Sequence, residues 1–309
     1  MTNVIASGRY YEIFDVFSDK AMAGNPLAVV HECSGLNDAQ MQAIAREFNL
    51  SETIFLLEPE NKTHTASVRI FTPEYELPFA GHPTVGAAIS LARRRHEGKE
   101  PGLLIALEEK IGLVRCGVVL GENNSAFAEF DLPILPRRLD VKIEKEEAAA
   151  AIGLGTHQIG FENHVPAVWS AGTPFLLVPV HNLIAAAKVS IDPVYVCESL
   201  PHVDGRPLPI YVYCRDTILF DSHFHARMFA IGANVFEDPA TGSAVAAFAG
   251  AVQENDQPVD GATQFWIEQG MEMGRPSRIR LELDVERQKL TSVRIGGSAV
   301  KIAEGRLFV

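Results

Sequence analysis

The chain has 309 residues, of which 47% are hydrophobic and 21% charged, with a formal net charge of -12. This composition excludes a wholly disordered chain, because there is enough apolar surface to offset chain entropy, and the length corresponds to about two domains. The negative charge repels phosphodiester backbones and anionic membranes, which argues against nucleic-acid and membrane partners.

The opening stretch MTNVIASGRYYEIFDVF has no basic start followed by an apolar run, so no secretory signal is expected. Residues 10–17 have strand composition. AGNP at 23–26 signals a turn before the apolar run 27–30. Asn37 is an N-cap candidate, and Met41, Ile44, Ala45 and Phe48 follow at helical spacing, predicting an amphipathic helix to about Asn49. Residues 53–57 return to strand, and Ala66, Val68 and Ile70 alternate with Ser67 and Arg69 as a further strand. GHPT at 81–84 opens a small-residue helix over 85–91, with Pro83 in the first turn where its missing N–H costs nothing. Short strands follow up to Leu132. The stretch LPILPRRLDVKIEKEE, 132–147, holds two prolines and many charges and is the candidate domain boundary.

The apolar region 164–187 is interrupted by Pro166, Pro174 and Pro179, so it reads as strands and turns rather than a membrane span. Strands are expected at 175–178 and 210–214. A turn and helix begin in PATGSAVAAFAG, 239–250, and strands follow at 263–268, 278–283 and 290–294. Many strands, few helices and no regular βαβ alternation predict an α+β fold. AGHPTVGAA at 80–88 can be laid on PATGSAVAA at 239–247, and both open a small-residue helix after a segment with an acidic residue. A hairpin-rich sheet wrapped round one central helix, made twice, accounts for this faint repeat. Cys33, Cys116, Cys197 and Cys214 are far apart with no CxxC spacing, and are expected to be buried reduced thiols of a cytoplasmic protein.

Three segments could carry chemistry. Glu52 in NLSET lies where a helix passes into a strand, and a carboxylate there can abstract a carbon-bound proton and return it elsewhere; composition alone favours a solvated loop glutamate. In ELPFAGHPT, Gly81 lets backbone approach a ligand closely. His82 stands beside the free N–H groups of a helix start, which suit an anion. A neutral histidine relays a proton or holds a hydroxyl, but a helix-capping role fits equally. In FEDPATGSA, Thr241, Gly242 and Ser243 offer donors at a second helix start, with Asp238 as an acceptor just before it; ordinary capping residues have the same composition. If the repeat holds, both helix starts face one cleft and clamp a small anion. His223 and His225 form an HxH spacing, but no third ligand is recognisable nearby, so no metal is expected. GxGxxG, GxxxxGK[ST] and GxSxG are absent, so nothing points to a dinucleotide, ATP or a serine nucleophile. GRPSRI, 274–279, reads as a solvated turn or as a lip for an anion or subunit contact.

Taken together, FDVFSDKAMAGNPLAVV, AREFNLSETIFL, RIFTPEYELPFAGHPTVGAA, FEDPATGSAVA and IEQGMEMGRPSRI resemble, in order and over nearly the whole chain, the PhzF-like family of phenazine biosynthesis. The resemblance implies the diaminopimelate epimerase fold, in which two pseudo-symmetric lobes, each a curved, mostly antiparallel sheet around a central helix, face one another. The lobes are expected at 1–133, completed by a C-terminal strand at about 296–309, and at 134–295. It implies Glu52 as acid/base, with His82 and Asp238 in the catalytic set and Asn25, Ser51, Gly81, Thr241, Gly242 and Ser243 as substrate-binding residues. The family's phenazine-pathway member isomerises 2,3-dihydro-3-hydroxyanthranilate without a cofactor, so no cofactor is expected. A carboxyl that both accepts and donates is helped by a pKa raised toward neutrality in an apolar cleft. Epimerases and racemases of this fold use two facing cysteines; here Ala80 and Pro239 occupy those positions, and neither exchanges a proton. The expectation is a cofactor-independent isomerase of a small carboxylated cyclic or unsaturated amino acid, forming a cytoplasmic homodimer. The alternatives are a non-catalytic carboxylate-binding or interaction protein on the same fold, or a racemase using carboxylates, with Asp238 facing Glu52.

Overall fold

The computed structural model describes residues 8–95, 102–121, 125–232 and 237–309. The first seven residues of the stretch read for a secretory signal, and Phe236 of FEDPATGSA, lie outside the described residues. The chain divides into two compact units, Met1–Phe130 with Ser298–Val309, and Asp131–Gly297.

In the first unit the elements run β1 (Arg9–Val16), β2 (Asn25–Val30), α1 (Asp38–Phe48), β3 (Glu52–Leu57), β4 (Ala66–Phe71), β5 (Glu76–Leu77), α2 (Gly81–Arg95), β6 (Gly102–Glu109), β7 (Gly112–Leu120) and β8 (Ser125–Asp131). The strand expected over 10–17 stops at Val16 because Phe17 takes a left-handed φ of 63°. Adjacent strands pair antiparallel except β2 with β3 and β4 with β6, which are parallel. A parallel pair needs a crossover, and α1 and α2 lie within those two connections. Asn37 caps α1 in a reciprocal capping box with Gln40, and Asn49 ends it in the left-handed conformation. Met41, Ile44 and Ala45 cover Val30, Phe55 and Phe71 on one sheet face. On the other face α2 packs against β1, β2, β3, β6 and β7. It is buried on nearly every side, from Gly81 through Ser90, as a helix of small residues inside a curved sheet must be. A Cβ on Gly86 would stand 2.3 Å from Leu27 Cδ2, so any larger residue there would displace the buried Leu27 side chain.

The second unit contains β9 (Arg137–Arg138), α3 (Lys145–Ala151), β10 (Ala167–Ser170), β11 (Pro174–Pro179), α4 (Leu183–Ala187), α5 (Pro193–Ser199), β12 (His202–Val203), β13 (Arg206–Pro207), β14 (Ile210–Cys214), β15 (Phe224–Phe229), β16 (Glu237–Asp238), α6 (Gly242–Asp256), β17 (Gly261–Gln269), β18 (Ser277–Glu286) and, up to Gly297, β19 (Lys289–Leu307), whose remainder belongs to the first unit. The beginning of β19 pairs with β18 and its end with β1. The pairs β11–β14 and β15–β17 are parallel, while β10–β11, β14–β15 and β17–β18 are antiparallel. The apolar region 164–187 resolves into β10, β11 and α4, two strands with both faces covered. Leu176, Val178, Ile210 and Val212 pack under α3–α5, whereas Tyr211 and Tyr213 stack near Phe248 of α6. Two buried faces explain an unbroken apolar run without a membrane, and among the described residues no helix is long and apolar enough to cross one.

Gly250 of α6 lies against an aromatic ring. A Cβ there would meet Trp169 Cζ3 at 2.2 Å and Pro136 Cβ at 3.1 Å, and neither ring can bend aside. Gly250→Ala is expected to destabilise the fold by about 1–3 kcal/mol through overpacking, read as a lower midpoint in denaturant unfolding. Cys33, Cys116 and Cys214 are buried free thiols, and burial pushes Cys33 and Cys214 up to about 12. Cys197 departs from the expectation of four buried thiols: it is exposed, because α5 turns Val196 and, in part, Tyr195 inward.

Candidate functional site

Asn25, Glu52 and His82 meet in the first unit, each at the start of its element. The AGNP turn delivers Asn25 to the head of β2. Gly24, at φ +67°, approaches so closely that a Cβ would lie 2.3 Å from the Val16 carbonyl oxygen. The left-handed Asn49 turns the chain from α1 into β3, so Glu52 opens β3 opposite Leu27 in parallel register. His82 sits in the first turn of α2.

Asn25 Nδ2 lies 3.3 Å from His82 Nδ1, and His82 Nε2 lies 3.3 Å from Glu52 Oε2. An amide N–H donates, so Nδ1 is the acceptor and the ring proton resides on Nε2, facing the carboxyl. Burial pushes the His82 pKa down to about 3, leaving a neutral imidazole. The His82 side chain is 4% exposed and that of Glu52 17%. The carboxyl is therefore the reachable member of the pair, and the imidazole its fixed support. Ser51 immediately precedes Glu52, and Gly81 is the buried first residue of α2.

The His82 shift has a defined consequence for stability. The unfolded ring takes up a proton near its ordinary 6.5, whereas the folded ring resists until about 3. The unfolded chain thus binds more protons in that window, and stability falls as pH drops through it. His82→Gln removes this contribution. The stability gap between wild type and variant is expected to shrink as pH falls from about 6.5 to about 3, measured by denaturant unfolding.

A second cluster belongs to the other unit. Asp238 lies on β16, and Thr241 Oγ1 donates to its Oδ2 at 2.5 Å. Gln269 Nε2 donates to the Asp238 carbonyl at 2.7 Å and to Thr241 Oγ1 at 3.1 Å, while its Oε1 accepts from Thr241 N–H at 3.2 Å. Ser277 Oγ donates to the Pro239 carbonyl at 2.9 Å. The hydroxyl of Thr241 is thus spent on Asp238, and no side-chain cap is made to α6. Gly242 is buried in the first turn and Ser243 is half-buried beside it. Neither α2 nor α6 carries an acidic residue in its first turn, in contrast to α1 with Asp38. Their outward N–H groups and positive dipole ends therefore suit an external anion.

Gln269 lies within one of the sequence blocks quoted above, yet only the β15–β17 pairing brings it to Asp238. The HxH pair does not converge. His223 is exposed and its Nδ1 accepts from Trp266 N–H, whereas His225 is buried between Glu268 and Glu272 at 2.9 Å each. Burial opposes its charge, but the two carboxylates outweigh that and raise its pKa to about 9. Glu162, His164 and Asp256 have a ligand-like arrangement among the described residues. Arg215 forms ion pairs with both carboxylates there and already supplies the positive charge. In GRPSRI, Arg278 pairs with Asp221 and stacks on Trp266.

The profile of the phenazine biosynthesis-like protein family, PhzC-PhzF, matches residues 14–305. An uncharacterized isomerase of Mesorhizobium japonicum is 54% identical over 302 residues, covering 97% of this chain and 99% of the relative. The trans-2,3-dihydro-3-hydroxyanthranilate isomerase of Pseudomonas aeruginosa is 30% identical, covering 97% and 99%. Among solved structures, a PhzF-family phenazine biosynthesis protein of Bacillus anthracis superposes with a TM-score of 0.84 at 28% identity, covering 97% and 99%. A hydroxyproline epimerase of Agrobacterium vitis, at 13% identity and a TM-score of 0.58 over 97% and 92%, shares the fold. With a family profile spanning almost the entire chain and a relative identical at more than half of its positions, the chain belongs to the phenazine biosynthesis-like PhzF family and is an enzyme of the isomerase class.

Proposed function

We propose that the chain moves a proton between two carbons of a small carboxylated cyclic or unsaturated amino acid, without a cofactor, with Glu52 as the acid/base. The observation that carries this reading is the Glu52–His82 contact of 3.3 Å, with Asn25 behind it. Glu52 as carboxylate takes a proton from one carbon, and the C–H electron pair passes into the conjugated system. As carboxylic acid it returns the proton to another carbon, where a new C–H bond forms. The substrate gains and loses no electrons overall. His82 Nε2–H steadies the carboxyl between the two steps, and its neutrality lets it donate without locking Glu52 into a permanent ion pair.

The N–H groups at the start of α2, with Gly81, are suited to the substrate carboxylate, and those at the start of α6 in the other unit, with Gly242 and Ser243, offer the same chemistry to an anion. Asp238, ordered by Thr241 and Gln269, is suited to accept from an amino or hydroxyl group. Ala80 and Pro239 stand before the two helix starts and have no exchangeable side-chain proton, which favours a single-carboxyl isomerase over a two-base racemase.

The test is NMR in heavy water with 2,3-dihydro-3-hydroxyanthranilate and the purified chain. Rearrangement of the ring, with deuterium at the newly protonated carbon, is the expected result. Binding with neither rearrangement nor exchange would overturn proton transfer on that ring.

A further inference from the structure

Glu109, at the end of β6, is a buried acidic group that the proposed reaction does not use. It is 7% exposed, and among the described residues it forms no ion pair. Its Oε1 lies 2.8 Å from Thr84 Oγ1, and its Oε2 is buried without a hydrogen-bond partner. Thr84 Oγ1 also lies 2.8 Å from the carbonyl oxygen of Ala80. A threonine hydroxyl has one hydrogen and here faces two acceptors at equal distance. If Glu109 were a carboxylate, one of these contacts would be oxygen against oxygen with no hydrogen on the axis. A bare anionic oxygen would also be buried, at a large desolvation cost. A hydrogen on Glu109 removes both difficulties, since Oε1–H then donates to Thr84 and Thr84 donates to Ala80.

From this geometry we infer that Glu109 is a carboxylic acid at neutral pH and a positioning residue, clamping Ala80 through Thr84 and so fixing the start of α2 on which Gly81 and His82 stand. Its bearing on catalysis rests on the role proposed above for His82. The surrounding charges are occupied elsewhere. Lys110 and Arg69 bind Glu76, and Arg69 also binds Asp38. Glu108 accepts from His64 and from two backbone N–H groups. Strand alternation puts Glu108, Arg115 of β7 and Glu129 of β8 on the sheet face opposite Glu109. On α2, His82 is neutral and Arg93–Arg95 lie in the last turn, at the far end.

Burial holds the Glu109 pKa up at about 8, compared with 4.5 for an ordinary glutamate. Between these values the unfolded chain gives up the proton and the folded chain keeps it, so stability falls as pH rises through that window and levels off above it. Glu109→Gln has a neutral side chain of the same shape whose N–H can still donate to Thr84. Its stability relative to wild type is therefore expected to improve steadily from about pH 4.5 to about 8 and then stay constant.

The direct test is infrared spectroscopy of the full chain. Wild type at neutral pH is expected to show the carbonyl band of an undissociated carboxylic acid, absent from Glu109→Gln and fading as pH rises. No such band in the wild type, or the same band in the variant, would overturn the inference, and the wild-type measurement stands even if a variant fails to fold. With 2,3-dihydro-3-hydroxyanthranilate as probe, Glu109→Gln is expected to keep kcat while losing the alkaline fall in rate that Glu109 imposes. Glu109→Leu is expected to lower kcat about tenfold by misplacing His82. An unchanged alkaline limb in Glu109→Gln would remove the positioning role. If the compound is not turned over, the substrate reading fails while the infrared result still decides the protonation of Glu109.

Discussion

Glu52→Gln is expected to lower turnover of any substrate by about 10²–10⁴-fold, the usual contribution of a positioned acid/base. Glutamine keeps the length and shape of glutamate, and its carbonyl oxygen can take the place of Glu52 Oε2, 3.3 Å from His82 Nε2. The start of β3 and the stance of His82 are therefore retained, and what disappears is the exchangeable proton. The effect is expected to fall on kcat, while KM for a small carboxylate is expected to change little, because the helix-start N–H groups suited to its carboxyl are untouched by the substitution. Deuterium uptake from heavy water by wild type and variant, beside unfolding curves for both, measures this. A variant that exchanges deuterium within a few-fold of wild type would remove Glu52 from the reaction.

Gly270→Ala is expected to cost about 2–4 kcal/mol, from left-handed strain and overpacking together. Gly270 has φ +77°, and its missing Cβ would lie 2.5 Å from the Arg275 carbonyl oxygen and 2.6 Å from that of Pro239. Both obstacles are backbone, so neither rotates away. Arg275 N–H donates to the Gly270 carbonyl at 3.0 Å, which closes the turn on itself. Pro239 lies between Asp238 and Thr241, so relief of the clash shifts the segment that Gln269 and Ser277 hold. Denaturant unfolding reads the stability loss. Where the variant still folds, a raised KM with a smaller change in kcat is the expected kinetic outcome. A variant as stable as wild type would show that this turn yields.

Much of the local structure was legible in the residues. Asn37 and Gln40 spell out the capping box that starts α1, and the spacing of Met41, Ile44 and Ala45 marks its buried side. The small residues after Gly81 and Gly242 announce two helices with no room for bulk, and Gly86 against Leu27 and Gly250 against Trp169 give the reason. Proline placement in 164–187 distinguished strands from a span, although burial of both sheet faces needed the packing of α3–α5 and α6. The exposure of Cys197 depends on which side of the short α5 meets the sheet, which residue types alone do not give.

The candidate site divides along the same line. Asp238 and Thr241 are three residues apart, so their hydrogen bond follows from a local turn. Asn25, Glu52 and His82 are separated by 27 and 30 positions, and nothing in their spacing brings them together. Family motifs named them, but the parallel register of β2 with β3, and the seating of α2 on those strands, set their 3.3 Å contacts. Gln269 lies in a family block and Glu109 in an ordinary strand, and neither position by itself names its partner. Capping, periodicity and turn chemistry act between neighbours in the chain and can be read from residue types alone. The tautomer of His82, the proton on Glu109 and the clamp on Asp238 arise from strand register and desolvation, which exist only once distant segments have packed.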